Sequence, residues 1–136
     1  MKYKLTKKTK EWCGITLYKI QATASFGSVD KGELGGWIEK EANLSQEGNA
    51  WVSGNARVSG DAWVSGNAWV YGDARVYGDA RVSGDARVYG DAWVSGNAWV
   101  SGELKLSTGF FFGVRYKKEE IKFEKIDDEH DLIYKG

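Results

Sequence analysis

The residues with the clearest potential for recognition chemistry are Trp and Arg side chains that recur every six positions. They are Trp51, Arg57, Trp63, Trp69, Arg75, Arg81, Arg87, Trp93 and Trp99. Indole and guanidinium groups attract each other by cation–π contacts of about 0.5–1 kcal/mol when exposed. Trp, Tyr and Arg are also the residues that dominate the energetics of protein interfaces. The pattern therefore predicts either ladders that stabilise a fold or a surface that binds another molecule.

Catalytic chemistry has few candidate residues in this chain. The single His, His130, lies in an acidic stretch outside the recurring pattern, and the single Cys, Cys13, has no evident base. No arrangement of Ser or Cys with His and an acid can be assembled. The carboxylates of residues 127–131 lack the spacing of a calcium-binding loop. We therefore predict a protein that is not an enzyme, with no catalytic residue, metal site or cofactor.

Length and charge set limits on the class of protein. The 136 residues suffice for one ordinary domain, and 19 basic residues balance 19 acidic ones. This balance argues against nucleic acid and membrane as partners. The charge is nevertheless uneven, since residues 1–40 carry eight Lys and four acids whereas residues 41–103 carry four Arg and eight acids. One Cys and the absence of an apolar leader predict a cytoplasmic, soluble protein.

The Trp and Arg positions belong to a six-residue repeat. Val recurs every six residues from Val52 to Val100, Ala precedes each Val by two residues, and Gly followed by Asn or Asp stands between the units. Ala-x-Val predicts a short strand with two side chains inward, and Gly-Asn or Gly-Asp predicts a sharp turn. A helix is disfavoured because each Gly would cost about 1 kcal/mol. Three strands and three bends close a triangular coil, so residues eighteen apart stack in parallel at about 4.8 Å.

The repeat predicts an all-β fold with three segments. Residues 34–107 form a single-stranded parallel β-solenoid of about four coils, because Ile38, Leu44 and Leu106 extend the inward pattern. The open sheet edges at both ends require covers. Residues 1–33 are predicted as an N-terminal strand cap, with Leu17, Ile20 and Phe26 as contacts, and residues 108–136 as C-terminal strands that end in a β-hairpin.

The segment Leu17–Val52, with "GGWIEKEANLSQEGNAWV" at its end, is followed by "GNARVSGDAWV". These residues resemble the YdcK-type β-solenoid repeat proteins of bacteria and their phages. The spacing of Val and Ala also looks like the hexapeptide repeat of left-handed β-helices. The resemblance implies a left-handed coil, whereas the periodicity does not choose a hand.

Stacking at eighteen residues assigns the outward side chains to three faces. The first face holds Trp51, Trp69, Arg87 and Lys105, the second Trp37, Arg57, Arg75 and Trp93, and the third Asn43, Trp63, Arg81 and Trp99. Tyr71 and Tyr89 join the first face, which is therefore predicted to be the main binding surface. The predicted protein-binding residues are Trp51, Trp69, Tyr71, Arg87, Tyr89, Trp63, Arg81 and Trp99. The predicted partner is a host protein or a second copy of the chain in a homo-oligomer.

Three functions remain open on the sequence alone. The favoured one is a non-catalytic binding protein of phage or prophage type, acting by protein–protein contacts, for example as an inhibitor of a host defence complex. An alternative is a nucleotide-binding sponge at an oligomer interface, although Asp73, Asp79, Asp85 and Asp91 would repel phosphates. The third is an enzyme like the hexapeptide acyltransferases, which the missing His in the repeats disfavours.

Overall fold

The computed structural model describes residues 1–112 and 115–117. Its N-terminal part contains β1 (Tyr3–Trp12), β2 (Ile15–Ala22), β3 (Leu34–Ile38) and a 3-10 turn at Glu41–Asn43. The repeats form β4 (Trp51–Val52), β5 (Arg57–Val58), β6 (Trp63–Val64), β7 (Trp69–Val70), β8 (Arg75–Val76), β9 (Arg81–Val82), β10 (Arg87–Val88), β11 (Trp93–Ser95) and β12 (Trp99–Ser101). Three strands follow, β13 (Lys105–Leu106), β14 (Phe110–Phe112) and β15 (Arg115–Lys117). The described residues contain no α-helix, so the all-β prediction is confirmed.

The solenoid strands stack into three parallel sheets, one for each face of a triangular coil. The first-face sheet has the order β13-β10-β7-β4, and the third-face sheet has the order β15-β12-β9-β6. The second-face sheet has seven strands in the order β1-β2-β3-β5-β8-β11-β14. Strands eighteen residues apart pair in register, with Val52 beside Val70 and Val70 beside Val88. The predicted stacking and the solenoid of about four turns are therefore confirmed.

The core is the column of Val and Ala side chains inside the coils. Every Val of the repeat from Val52 to Val100 is fully buried, and the Ala two residues earlier is 0–1% exposed in each unit. A buried Val contributes about 1.5–3 kcal/mol. The backbone satisfies itself between coils, where Trp51 N–H donates to the Ala68 carbonyl at 3.0 Å. Each coil therefore depends on its neighbours both for burial and for hydrogen bonds.

The 3-10 turn before Leu44 changes the first coil locally. The backbone N–H of Asn43 donates to Lys40 O within the 3-10 turn, so it cannot join the ladder to the next coil. Its side-chain amide takes that place and donates to Gly60 O at 3.1 Å and Ala62 O at 2.9 Å. Asn43 is consequently buried, and the prediction that it points outward on the third face is wrong.

An antiparallel N-terminal hairpin, β1 with β2, extends the second-face sheet at the start of the solenoid. β2 pairs antiparallel with β3, and β3 pairs parallel with β5, so the hairpin and the solenoid share one sheet. Leu17 and Ile20 are fully buried, as a cap contact should be, and Phe26 packs against the core. The N-terminal segment is thus made of strands, in agreement with the predicted fold class, whereas the sequence analysis made no prediction of how these strands pair.

The cap also covers Trp51, which the sequence placed on an exposed surface. Trp51 is 0% exposed, and its ring meets Phe26 edge-on at 5.3 Å and Tyr3 at 6.5 Å between centroids. Gly35 passes directly beneath it, where a Cβ atom would lie 2.7 Å from Trp51 Cζ2 and 2.6 Å from Val52 O. The prediction of Trp51 as a residue of a free binding surface is therefore wrong, because the N-terminal segment buries it.

The parallel ladders continue beyond residue 107, where the sequence had placed the end of the solenoid. β14 pairs parallel with β11, and β15 pairs parallel with β12. The C-terminal hairpin predicted at the end of residues 108–136 lies outside the described residues, and the left hand of the coil stays a prediction. Within the described ranges, no helix is long and apolar enough to cross a bilayer.

Candidate functional site

The first face is dominated by a half-buried aromatic cluster. The rings of Tyr71 and Tyr89 stack at 5.0 Å with an angle of 5°, and Trp69 meets Tyr71 edge-on at 6.4 Å. These pairs form because Tyr follows Val at corresponding positions of two successive coils. Trp69 also packs against the core. The three rings therefore expose less aromatic surface to a partner than three separate, fully exposed rings would.

A shallow groove of about 560 Å³ runs beside Trp69 on the first face. Its lining alternates in charge, with Arg87 and Lys105 on the strands and Asp85 and Glu103 at the neighbouring corner. The amide of Asn67, one coil before Asp85, donates to its carboxylate at 3.2 Å. Since the groove is polar, with both signs present, it favours a polar partner surface over a purely apolar one.

The third face holds the most exposed Trp side chains of the described repeats. Trp63 is 43% exposed and Trp99 is 38% exposed, and Arg81 lies on the strand between them and is exposed as well. The indole N–H of Trp99 donates to Ser83 Oγ at 3.3 Å, which orients the ring. This face therefore presents two exposed indoles, two coils apart, with a guanidinium group between them.

The second face joins side chains of the solenoid to side chains of the N-terminal hairpin. Trp37 is only 7% exposed, because two ammonium groups of the hairpin lie over its ring. Lys10 Nζ is 4.3 Å from the ring centroid and Lys19 Nζ is 5.0 Å from it. Lys19 also donates to Gly35 O at 2.7 Å. Lys19 is thus held by a hydrogen bond and a ring contact, and Lys10 by the ring contact.

Trp12, next to the hairpin turn, contacts two Arg residues of the solenoid. The guanidinium carbon of Arg57 lies 5.1 Å from the Trp12 centroid and that of Arg75 lies 4.9 Å from it. Arg75 also lies 4.6 Å from the Trp93 centroid. Stacking of Arg on the indoles therefore links three coils of the sheet to the tip of the hairpin.

We call Lys10, Lys19, Arg57 and Arg75 the cationic strip. Burial lowers the pKa of Lys10, and the positive charges of Arg57, Lys19 and Arg75 lower it further. Burial also lowers the pKa of Lys19, with a contribution from Lys8. The charges of the strip therefore repel one another across the second face.

The corners between the faces carry the acidic residues. Asp73 and Asp91 lie at the corner between the first and second faces, and Asp61 lies between the second and third. Lys40 Nζ pairs with Asp61 Oδ1 at 2.8 Å, which raises the pKa of Lys40 and lowers that of Asp61. No group of three His, Cys, Asp or Glu side chains suited to a metal ion occurs in the described part of the chain.

Apart from the buried Trp51, the structure separates the predicted site residues into two groups. Trp69, Tyr71, Arg87 and Tyr89 lie together on the first face, and Trp63, Arg81 and Trp99 lie together on the third. Sequence reasoning missed the joint surface of Trp12, Lys10 and Lys19 with Arg57 and Arg75. The sequence signal for it was the Lys-rich composition of β1 with Trp12 at its end, but only the sheet topology shows which face this strand meets.

Comparison with known protein families supports the architecture. The family model of the YdcK Beta solenoid repeat matches residues 50–66, 68–84, 74–87, 80–96 and 86–102. These segments comprise β4 to β12 with their corners, which are the regular coils of the structure. A search of curated proteins found no match to the chain.

Proposed function

We propose that the chain, whose regular coils match the YdcK Beta solenoid repeat, is a non-catalytic binding protein that holds a partner protein against its solenoid. The third face carries the proposal, because Trp63 and Trp99 are 43% and 38% exposed there with Arg81 between them. Trp and Arg are the residues most enriched among binding hot spots. Two exposed indoles on one face, with a guanidinium group between them, combine the side chains that such hot spots use.

The first face supplies the adjoining part of the proposed surface. The corner that contains Ser83 and Asp85 leads from the third face to Arg87 on the first. Trp69, Tyr71 and Tyr89 provide a rigid aromatic cluster there, and rigid aromatic side chains lose little entropy on binding. Charged residues of both signs in the groove provide polar contacts for the rim of an interface.

The chemistry of the repeats supports a non-catalytic role. Residues 50–102 contain neither His nor Cys, so the regular coils lack the usual general base and the strongest nucleophile. Their outward side chains are mainly indole, phenol, guanidinium, hydroxyl and carboxylate groups at the surface. These groups are suited to recognition through stacking and hydrogen bonds.

The resemblance to phage and bacterial solenoids extends the proposal to a biological setting. We take the partner to be a host protein or a second copy of this chain, met in the cytoplasm. A phage or prophage origin would make inhibition of a host defence complex the corresponding activity. The support for this extension is the resemblance alone.

The proposal is tested by quantitative pull-down from a bacterial lysate with two double variants, each of which removes two aromatic side chains from one face. Trp63→Ala/Trp99→Ala removes the exposed indoles of the third face, and Trp69→Ala/Tyr71→Ala removes two rings of the first face. Light scattering during gel filtration, at several concentrations, measures self-association of each protein. Circular dichroism melting verifies that each variant keeps the wild-type fold.

We expect Trp63→Ala/Trp99→Ala to recover at least tenfold less partner than wild type, or to self-associate at least tenfold more weakly. One hot-spot Trp contributes about 2 kcal/mol or more to binding. The first-face variant should lose less. Equal recovery by wild type and the third-face variant would show that this face does not bind the partner.

A further inference from the structure

The cationic strip on the second face has an excess of positive charge that no described carboxylate balances. Lys10 and Arg75 form no ion pair or hydrogen bond with a described residue, and the ion pair between Lys40 and Asp61 lies outside the strip. Nε and Nη1 of Arg57 are buried donors without an acceptor among the described residues. Buried charge without a counter-charge is costly, and a negative charge bound over the strip would offset the repulsion among its four cations.

We propose that the cationic strip binds a compact ligand that carries two or more phosphate groups. A guanidinium group that stacks face-on against an indole keeps N–H donors at its edge for an anion. The guanidinium carbon of Arg75 lies over the rings of both Trp12 and Trp93, and Lys10 Nζ lies over the ring of Trp37. Because these contacts already order the cations, binding an anion would cost little side-chain entropy.

The acidic corners favour a compact ligand over a long polyanion. Asp73 and Asp91 border the second face on one side, and Asp61 and Asp79 border it on the other. A nucleic acid strand that crossed the sheet would meet these carboxylates, whereas a small ligand could remain between them. A phosphate group offers up to two charges and three acceptor oxygens, so two such groups match four neighbouring cations better than isolated carboxylates do.

This site goes beyond the proposed protein contacts of the first and third faces. It also differs from a nucleotide site at an oligomer interface, because all four cations come from one copy of the chain. Lys10 and Lys19 belong to the hairpin, and Arg57 and Arg75 belong to the solenoid. The ligand would therefore bridge the two parts of the second-face sheet.

Titration calorimetry of the full chain with inorganic pyrophosphate, at constant ionic strength, tests the proposal. The main variant is Arg75→Gln. The matched control is Arg81→Gln, which changes the equivalent Arg of the next repeat unit on the third face. We expect wild type and Arg81→Gln to bind pyrophosphate alike, and Arg75→Gln to bind about tenfold more weakly, since a charge-assisted hydrogen bond is lost.

A second variant keeps the test decisive if Arg75→Gln unfolds, because that residue also stacks on two indoles. Lys10→Gln leaves the contacts of Trp12 in place and should also weaken pyrophosphate binding about tenfold. Failure of wild type to bind millimolar pyrophosphate, or equal weakening by Arg81→Gln, would overturn the proposal. Tighter binding of hexaglutamate than of pyrophosphate, or affinity for oligothymidine that grows with its length, would contradict a compact phosphate ligand.

Discussion

At the scale of single residues, the start of the solenoid is closed by side chains that replace a missing coil. In the regular coils, a backbone N–H donates to the carbonyl seventeen positions later, as from Trp51 to Ala68. Ala50 has no coil beneath it to supply such a donor. Lys2 Nζ donates to Ala50 O at 2.8 Å, and Tyr3 Oη donates to Leu44 O at 2.6 Å. These buried groups therefore hold the hairpin to the first coil.

The first prediction concerns the pH dependence that Lys2 gives to stability. Burial lowers the pKa of Lys2 from 10.5 to about 8. Between these values the unfolded chain binds more protons than the folded one, so the contribution of Lys2 to the free energy of unfolding rises with pH. Urea unfolding of wild type and Lys2→Met at pH 7.5 and 9.5 measures it. We expect the stability of wild type relative to Lys2→Met to increase between the two values.

The window for this measurement ends near pH 10 because Tyr3 acts in the opposite direction. Burial, with the charge of Glu41, raises the pKa of Tyr3 above its ordinary value of 10.0. Stability from Tyr3 is therefore present below pH 10 and decreases above it. If wild type and Lys2→Met changed in parallel from pH 7.5 to 9.5, the buried ammonium would not be the titrating group.

At the scale of the elements, the corner of each repeat sets how closely the coils approach. Gly78 has φ +70°, and a Cβ atom there would lie 2.9 Å from the backbone nitrogen of Gly96 in the next coil. Gly32 has φ +92°, yet no atom lies within 4 Å of the corresponding Cβ position. Gly78 is therefore required both by its backbone conformation and by the close approach of the next coil, whereas Gly32 is required by its backbone conformation alone.

We predict that Gly78→Ala destabilises the protein by more than Gly32→Ala. Both variants place Ala in the left-handed region, at about 1–2 kcal/mol, but only Gly78→Ala also forces backbone of adjacent coils apart. Thermal unfolding followed by circular dichroism measures the difference. Equal losses of stability in the two variants would mean that the coils accommodate the added Cβ atom at residue 78 without further cost.

The elements also show where sequence reasoning succeeded and where it could not. The pairing of Trp69 with Arg87, and of Arg57 with Arg75, follows from the fixed eighteen-residue step, which leaves the register no freedom. The burial of Trp51 and the position of Trp12 depend instead on how β1 and β2 dock, and strand alternation does not specify that. The face on which each repeat side chain lies could therefore be predicted, but the contacts that form the cationic strip could not.

At the scale of the whole molecule, a basic hairpin is fused to an acidic solenoid by one continuous sheet. Residues 1–40 carry eight Lys and four acids, and residues 41–103 carry four Arg and eight acids. β1 forms one edge of the seven-stranded sheet and carries Lys4, Lys7, Lys8 and Lys10. Lys on an edge strand opposes pairing with another chain. The hairpin thus covers the first coil and also protects the new edge that it creates.

The last prediction is that removal of residues 1–33 destabilises the solenoid and makes it self-associate. The deletion exposes Trp51, whose burial of about 150–250 Å² corresponds to roughly 4–6 kcal/mol at about 25 cal/mol per Å². It also removes the donors of Lys2 and Tyr3 and leaves β3 as an unprotected edge. Urea unfolding and sedimentation velocity measure both effects.

Trp51→Ser with the hairpin retained is the control. This variant should lose stability but stay as monodisperse as wild type, because the hairpin still covers the edge of β3. A deletion variant as stable and monodisperse as wild type would show that the coils close themselves without the hairpin.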